Sequence, residues 1–173
     1  PMSKPPANRL DAVRLAAEGA SLERSFPLAG FRRLAGSLVS PEGDCVARLS
    51  FREFGAGVAG CVLEVEATAT LRCQRCLGAV GVPLRSEGRI AFVASDAASA
   101  ALPADVETVD ADPQAVDLHA LVEDELLLSL PLVPRHEGDE CRAPGGRPAG
   151  ASEVDESRGA RRPFAGLRDL LKH

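Results

Sequence analysis

The 173-residue chain has no tryptophan and no tyrosine, and aromatic residues make up only 3% of it. That removes the aromatic platform on which single-stranded nucleic acid commonly stacks. It also requires a core of Leu, Val and Ala with a few Phe. No segment approaches the roughly 20 consecutive apolar residues of a membrane span, so no membrane partner is expected. The opening PMSKPPANRL holds no apolar run of the kind that starts a secretory leader, and a cytoplasmic location is expected. Cysteines at 45, 61, 73, 76 and 141 are odd in number and do not read as a disulfide framework. A reducing compartment is the simpler context, in which closely spaced cysteines suggest metal or redox chemistry. Glycine-rich phosphate loops, a G-x-S-x-G elbow and an H-E-x-x-H pair are absent, and three histidines leave little scope for a triad. Neither an enzyme nor a small-molecule substrate is expected.

What is present is sharply segregated charge. Residues 1–89 carry 12 basic and 9 acidic side chains, residues 90–141 carry 1 and 12, and residues 142–173 carry 7 and 4. The net charge of −5 therefore averages two mildly basic ends around an acidic middle. A low overall pI argues against a nucleic-acid partner, and the segregation weakens that objection.

Hydrophobic periodicity supplies the elements. Asn8 as the cap, with Asp11 three residues on, and the spacing of Leu10, Val13 and Ala17 predict a helix over 9–18, with Gly19 beyond its end. A short strand is expected near 34–39, ended by the turn signal Ser40-Pro41-Glu42-Gly43. From Cys45 to Phe51, and again from Cys61 to Leu71, apolar and polar residues alternate with the period of a half-buried strand. Val80, Val82, Leu84, Ile90 and Phe92 supply an antiparallel partner, which puts the CQRC of Cys73–Cys76 at a hairpin tip. Residues 94–116 read as a long acidic loop.

The densest stretch is DLHALVEDELLLSLPLVPRHEGDEC, residues 117–141. Asp117 caps a helix running to about Leu130, where Pro131 begins an extended exit. Leu118, Leu121, Val122, Leu126, Leu128 and Leu130 share one broad face and Leu127 lies outside it, so the second half is expected to be buried nearly all round. Glu125 falls within the apolar face and needs a partner, for which Arg33 and Arg75 are candidates; otherwise it tilts to solvent. Glu123 and Asp124 flank that face.

Three chemistries compete for the motifs. Cys73 and Cys76 with His136 and Cys141 make a sensible Cys3His set for a structural zinc ion. A thioredoxin-like redox role would need the CxxC to open a helix, and here it leads back into a strand. The bland reading is four reduced or solvated side chains near a turn. Arg72, Arg75, Arg85 and Arg89, on and beside the hairpin, suit phosphate contacts with RNA, although Glu64, Glu66 and Glu87 share that surface, which equally reads as a solvated face of mixed charge.

Taken together, CQRCL, the 117–141 stretch and the closing RPFAGLRDLL resemble the YceD family, bacterial and plastid proteins linked to accumulation of 23S ribosomal RNA. The resemblance implies a non-enzymatic factor in synthesis, processing or stability of that RNA during large-subunit assembly. Its partners would be the large-subunit rRNA or pre-ribosomal particle, with a ribosomal or assembly protein as another candidate. Some relatives carry a fuller cysteine set after the helix, like a zinc ribbon; this chain has His136 and Cys141 there. The alternative function is a zinc-stabilised protein-interaction module without RNA contact. The expected architecture is α+β: a mainly antiparallel, barrel-like sheet packed by one central helix, with flexible termini. The domain should span 8–141, followed by a flexible linker over 142–162 and an amphipathic C-terminal segment over 163–173, able to dock on the domain or in a partner's groove.

Overall fold

The computed structural model describes residues 8–55, 57–94, 102–138 and 141. At its centre, strands β3 (Asp44–Phe54), β4 (Val58–Arg72) and β5 (Ala79–Val93) form an antiparallel meander. Strand β2 (Ser21–Pro27) pairs antiparallel with β3, and β6 (Glu107–Asp110) pairs parallel with the end of β5. The sheet order is β2-β3-β4-β5-β6. Alternation fixes the register: Cys45, Ala47, Leu49 and Phe51 lie opposite Ala67, Val65, Leu63 and Cys61. A slip of one residue would turn this whole apolar set to solvent.

The expected barrel is not formed. β2 and β6 occupy opposite edges and do not pair, so the sheet stays open. A closed sheet would bury its inner face against itself; here helices take that role. Helix α1 (Ala12–Ala17) lies against β3 and β4, and α3 (Leu118–Leu128) lies against β4, β5 and the short α2 (Arg32–Ala35). Leu28, Phe31, Leu34, Leu118, Val122 and Leu126 from this layer join the inner-face residues in one core.

The opposite face carries a smaller cluster at one end. Phe54, Ala91 and Val106 are buried together, with Val58 and Leu102 packed against them. Phe54 shares its phase with Arg52, whose register partner is Gly60, and Gly60 is paired in turn with Ala91. The glycine leaves room for the Phe54 ring to lie across β4.

Several local expectations are corrected. The first helix is capped by Asp11, whose Oδ1 accepts from Arg14 N at 3.0 Å. Asn8 instead offers its carbonyl to Leu118 N, beside the small ladder of β1 (Arg9–Leu10) with β7 (Val116–Asp117). Gly19 does end the helix, at φ 60°. The strand expected near 34–39 lies earlier, as β2, and Leu28–Ala35 forms helical turns. The acidic loop 94–116 contains β6, whose four-residue sequence ETVD has too little periodicity to be read. The linker at 142–162 and the segment at 163–173 fall outside the described residues.

Asp117 caps α3 as expected, accepting from His119 N and Ala120 N at 3.1 and 3.2 Å. The all-round burial of the second half is not found: Leu128 is 76% exposed, and Leu127 and Leu130 are half-buried. A helix laid on one sheet face buries one stripe, whatever its far side carries.

Both buried carboxylates have partners, though not the expected ones. Glu125 takes a hydrogen bond from the Ser86 hydroxyl on β5. Arg33 goes to Glu123, through Nε at 3.0 Å, and to Asp124. Glu123 also accepts the backbone N–H groups of Arg33 at 2.6 Å and Leu34 at 3.2 Å, and so anchors α2 to α3. Burial raises the Glu123 carboxyl, but the Leu34 N–H and the side chain and N–H of Arg33 outweigh it and hold it below its usual value. A carboxyl depressed in this way stabilises the fold above its unfolded pKa of about 4.3, and the contribution is lost as pH falls through the folded value. Glu123→Gln should therefore lower stability at pH 7 by about 2 kcal/mol and flatten the acid side of the stability profile. Urea unfolding at several pH values reads both effects; parallel acid losses in the two proteins would exclude Glu123 as the titrating group.

Candidate metal centre

The β4–β5 hairpin closes with a turn that needs its cysteines' backbone. Cys73 N donates to Gly78 O at 2.8 Å and Leu77 N to Cys73 O at 2.9 Å, with Leu77 in the left-handed region at φ 63°. The extended exit from α3 is then tied to this tip, because Gln74 N donates to Pro134 O at 2.8 Å. Gly138, at φ 87°, offers its carbonyl to Arg75 Nη2 at 2.7 Å. These contacts bring residues far apart in sequence onto one tip.

Cys73, Cys76, His136 and Cys141 accordingly converge, with all ligand atoms within 4.8 Å of one another. Cys73 Sγ lies 3.4 Å from Cys141 Sγ, and Cys76 Sγ lies 3.4 Å from His136 Nδ1. Zinc–sulfur bonds of about 2.3 Å in a tetrahedron put sulfurs about 3.8 Å apart, so the set is close to the size an ion would impose. The free ring nitrogen, His136 Nε2, is 2.9 Å from Ala79 O. A carbonyl there selects the tautomer that leaves Nδ1 free to ligate.

Cys73 and Cys141 of this cluster are unlike the two core thiols. Burial raises Cys73, but the N–H groups of Cys76, Arg75 and His136 and the Cys141 side chain bring it down to about 5. The Arg75 guanidinium holds Cys141 below its usual value. Cys76 is lowered by the Gly78 N–H, yet burial and the neighbouring Cys141 and Cys73 leave it raised. His136 is raised by Cys141 and Cys73. By contrast, burial pushes the Cys45 thiol to about 11, and burial followed by Glu125 pushes Cys61 to about 12. Those two are inert core residues. The lowering of Cys73 and Cys141 favours their thiolates, the form that binds a metal ion. A redox CxxC at a helix start is not what the chain builds, since Cys76 leads through Leu77 and Gly78 into β5.

The four hairpin arginines do not form one patch. Arg75 faces Gly138 and Cys141. Arg85 pairs with Glu66 at 2.8 Å. Arg89 pairs with Asp105 and lies 5.2 Å over the Phe54 ring. Arg72 stands at the end of β4, exposed. What sequence reasoning missed was the support: the Gln74–Pro134 and His136–Ala79 contacts use backbone groups, which leave no mark on residue choice. Gly138, inside an acidic exit loop, was the available signal for a sharp bend.

Fold and cluster together define a small α+β domain whose longest hairpin meets the exit of its longest helix in a four-ligand set able to hold a metal ion. Residues 62–171 match the family described as "Large ribosomal RNA subunit accumulation protein YceD". The chain belongs to the YceD family. A protein of that name from Haemophilus influenzae is 31% identical over 139 residues, which cover 80% of each chain. No solved structure matches. Among the described residues, no helix is long and apolar enough to cross a membrane.

Proposed function

We propose that this protein is a cytoplasmic, non-catalytic factor that supports accumulation of 23S rRNA during assembly of the large ribosomal subunit, in association with that RNA or its precursor particle. The observation that carries the reading is family membership over residues 62–171, together with the name of the Haemophilus relative. The geometry is in keeping with it. Four protein ligands at one metal leave no open position for substrate, the arrangement of a structural rather than a catalytic site. The ion proposed there is zinc, held by Cys73, Cys76, His136 and Cys141. Its chemistry would be to cross-link the hairpin tip to the exit of α3. A zinc-stabilised interaction module with no link to RNA is not favoured, because the family description names ribosomal RNA.

Depletion should lower 23S relative to 16S rRNA, and the wild-type gene should restore the ratio. Quantifying both species by electrophoresis tests this, and an unchanged ratio in depleted cells would reject the proposal.

A further inference from the structure

Resting on the rRNA reading above, we infer that the cleft between α1, β1 and β2 is where the protein grips an RNA strand, through Arg9, Arg14 and Arg24. The cleft has a volume of about 640 Å³ and is lined by these three arginines and by Leu10, Leu15 and Leu22, among others. Arg24 occupies the same phase of β2 as Leu22 and Phe26, so it projects from the helix-covered face at the sheet's edge. Its Nη1 donates to Glu23 O, and neither Arg24 nor Arg9 makes an ion pair with any described residue. Arg14 is held by Glu18, with Nη1 3.0 Å from both carboxylate oxygens. Among the described residues Asp11 is the one lining carboxylate, and its Oδ1 is engaged in capping α1.

On the outer sheet face the arginines with no ion pair among the described residues, Arg52 and Arg72, stand at opposite ends of β4, opposite Gly60 and Ala79 and about 40 Å apart along the strand, while those between them are paired. There Arg48 meets Glu23 and Glu66, Arg85 meets Glu66, and Arg89 meets Asp105. A phosphate arriving at that face must displace a carboxylate at each of those cations. In the cleft two guanidinium groups have no carboxylate partner among the described residues, and the third is released by exchange with Glu18. Guanidinium forks fit phosphodiester oxygens, and the leucine floor gives a base an apolar surface to lie on without an aromatic platform. The site recognises backbone and shape, not sequence. Its three arginines lie outside the 62–171 segment that carries the family match, while Gln114 and Ala115 on its wall lie within it.

The test is binding of a single-stranded fragment of 23S rRNA to the full chain, across a salt series. Arg9→Ala/Arg24→Ala should weaken binding at least about tenfold and reduce the slope of log K against log salt by about 1.4, as loss of two phosphate contacts to a single strand requires. Glu18→Gln frees Arg14 and should tighten binding about threefold, a gain that misfolding cannot mimic. Arg85→Ala/Arg89→Ala, on the outer face, should bind like wild type. Loss of affinity in this last pair with the cleft variants unchanged overturns the assignment. Absence of RNA binding by the wild-type chain overturns it too, while leaving the depletion result to judge the cellular role separately.

Discussion

Protein purified without an affinity tag should carry close to one zinc per chain, and Cys76→Ser should carry almost none. The expectation rests on four ligand atoms already within 4.8 Å of one another, with a histidine orientation set by Ala79 O. The loss should reach beyond the site. Cys73 and Cys76 sit on the hairpin tip, while His136 and Cys141 follow α3, so an ion there would close a loop of about sixty residues. Constraining such a loop removes freedom from the unfolded chain, and metal that binds only the folded state adds its binding energy to stability. Cys76→Ser, or wild type treated with a strong chelator, should therefore melt at least about 10 °C lower. Elemental analysis and thermal unfolding read the two effects. A full thermal midpoint in metal-free protein would show that the thiols need no ion, and a thiol oxidoreductase would lose activity in Cys73→Ser without losing stability.

A comparably large effect is expected from one methyl group at Gly60. A Cβ there would stand 2.2 Å from Ile90 O and 2.7 Å from two carbons of the Phe54 ring. The ring could swing aside, but the carbonyl belongs to the β5 backbone, and moving it breaks the pairing around Ala91. Gly60→Ala should cost at least about 3 kcal/mol, since overpacking against fixed backbone cannot relax locally. Gly81→Ala is the internal control. Its Cβ would meet only Thr68 Cγ2 at an ordinary 3.9 Å, and the change should stay within about 1 kcal/mol of wild type. Equal urea midpoints for the two variants would contradict the packing of Phe54 across β4.

The long elements and the place of the CxxC were legible in sequence for the same reason. β3, β4 and β5 alternate cleanly because one face is buried, and the CxxC could only fall where β4 turns into β5. Asp117 announced its helix because a capping carboxylate must precede the first free N–H groups. What could not be read depends on the third dimension. ETVD becomes β6 only because β5 offers it an edge. Arg33 chooses Glu123 over Glu125 because Glu123 can also receive two backbone N–H groups of α2, and no periodicity encodes that. Arg24 was invisible as a cleft residue because its strand had not been placed. The barrel failed as an expectation because alternation shows that one sheet face is buried, not what buries it.

An open sheet has two ends, and each leaves backbone groups ready to recruit a neighbouring copy. At one end, β2 carries Glu23 and Arg24 and finishes in Pro27, which has no N–H to offer. At the other, β6 is only four residues long, with Glu107 and Asp110 exposed at its limits. A second chain adding a strand at either end would have to strip water from these charges and find few partners in return. Both edges of the sheet are therefore guarded against the edge-to-edge pairing from which fibres grow.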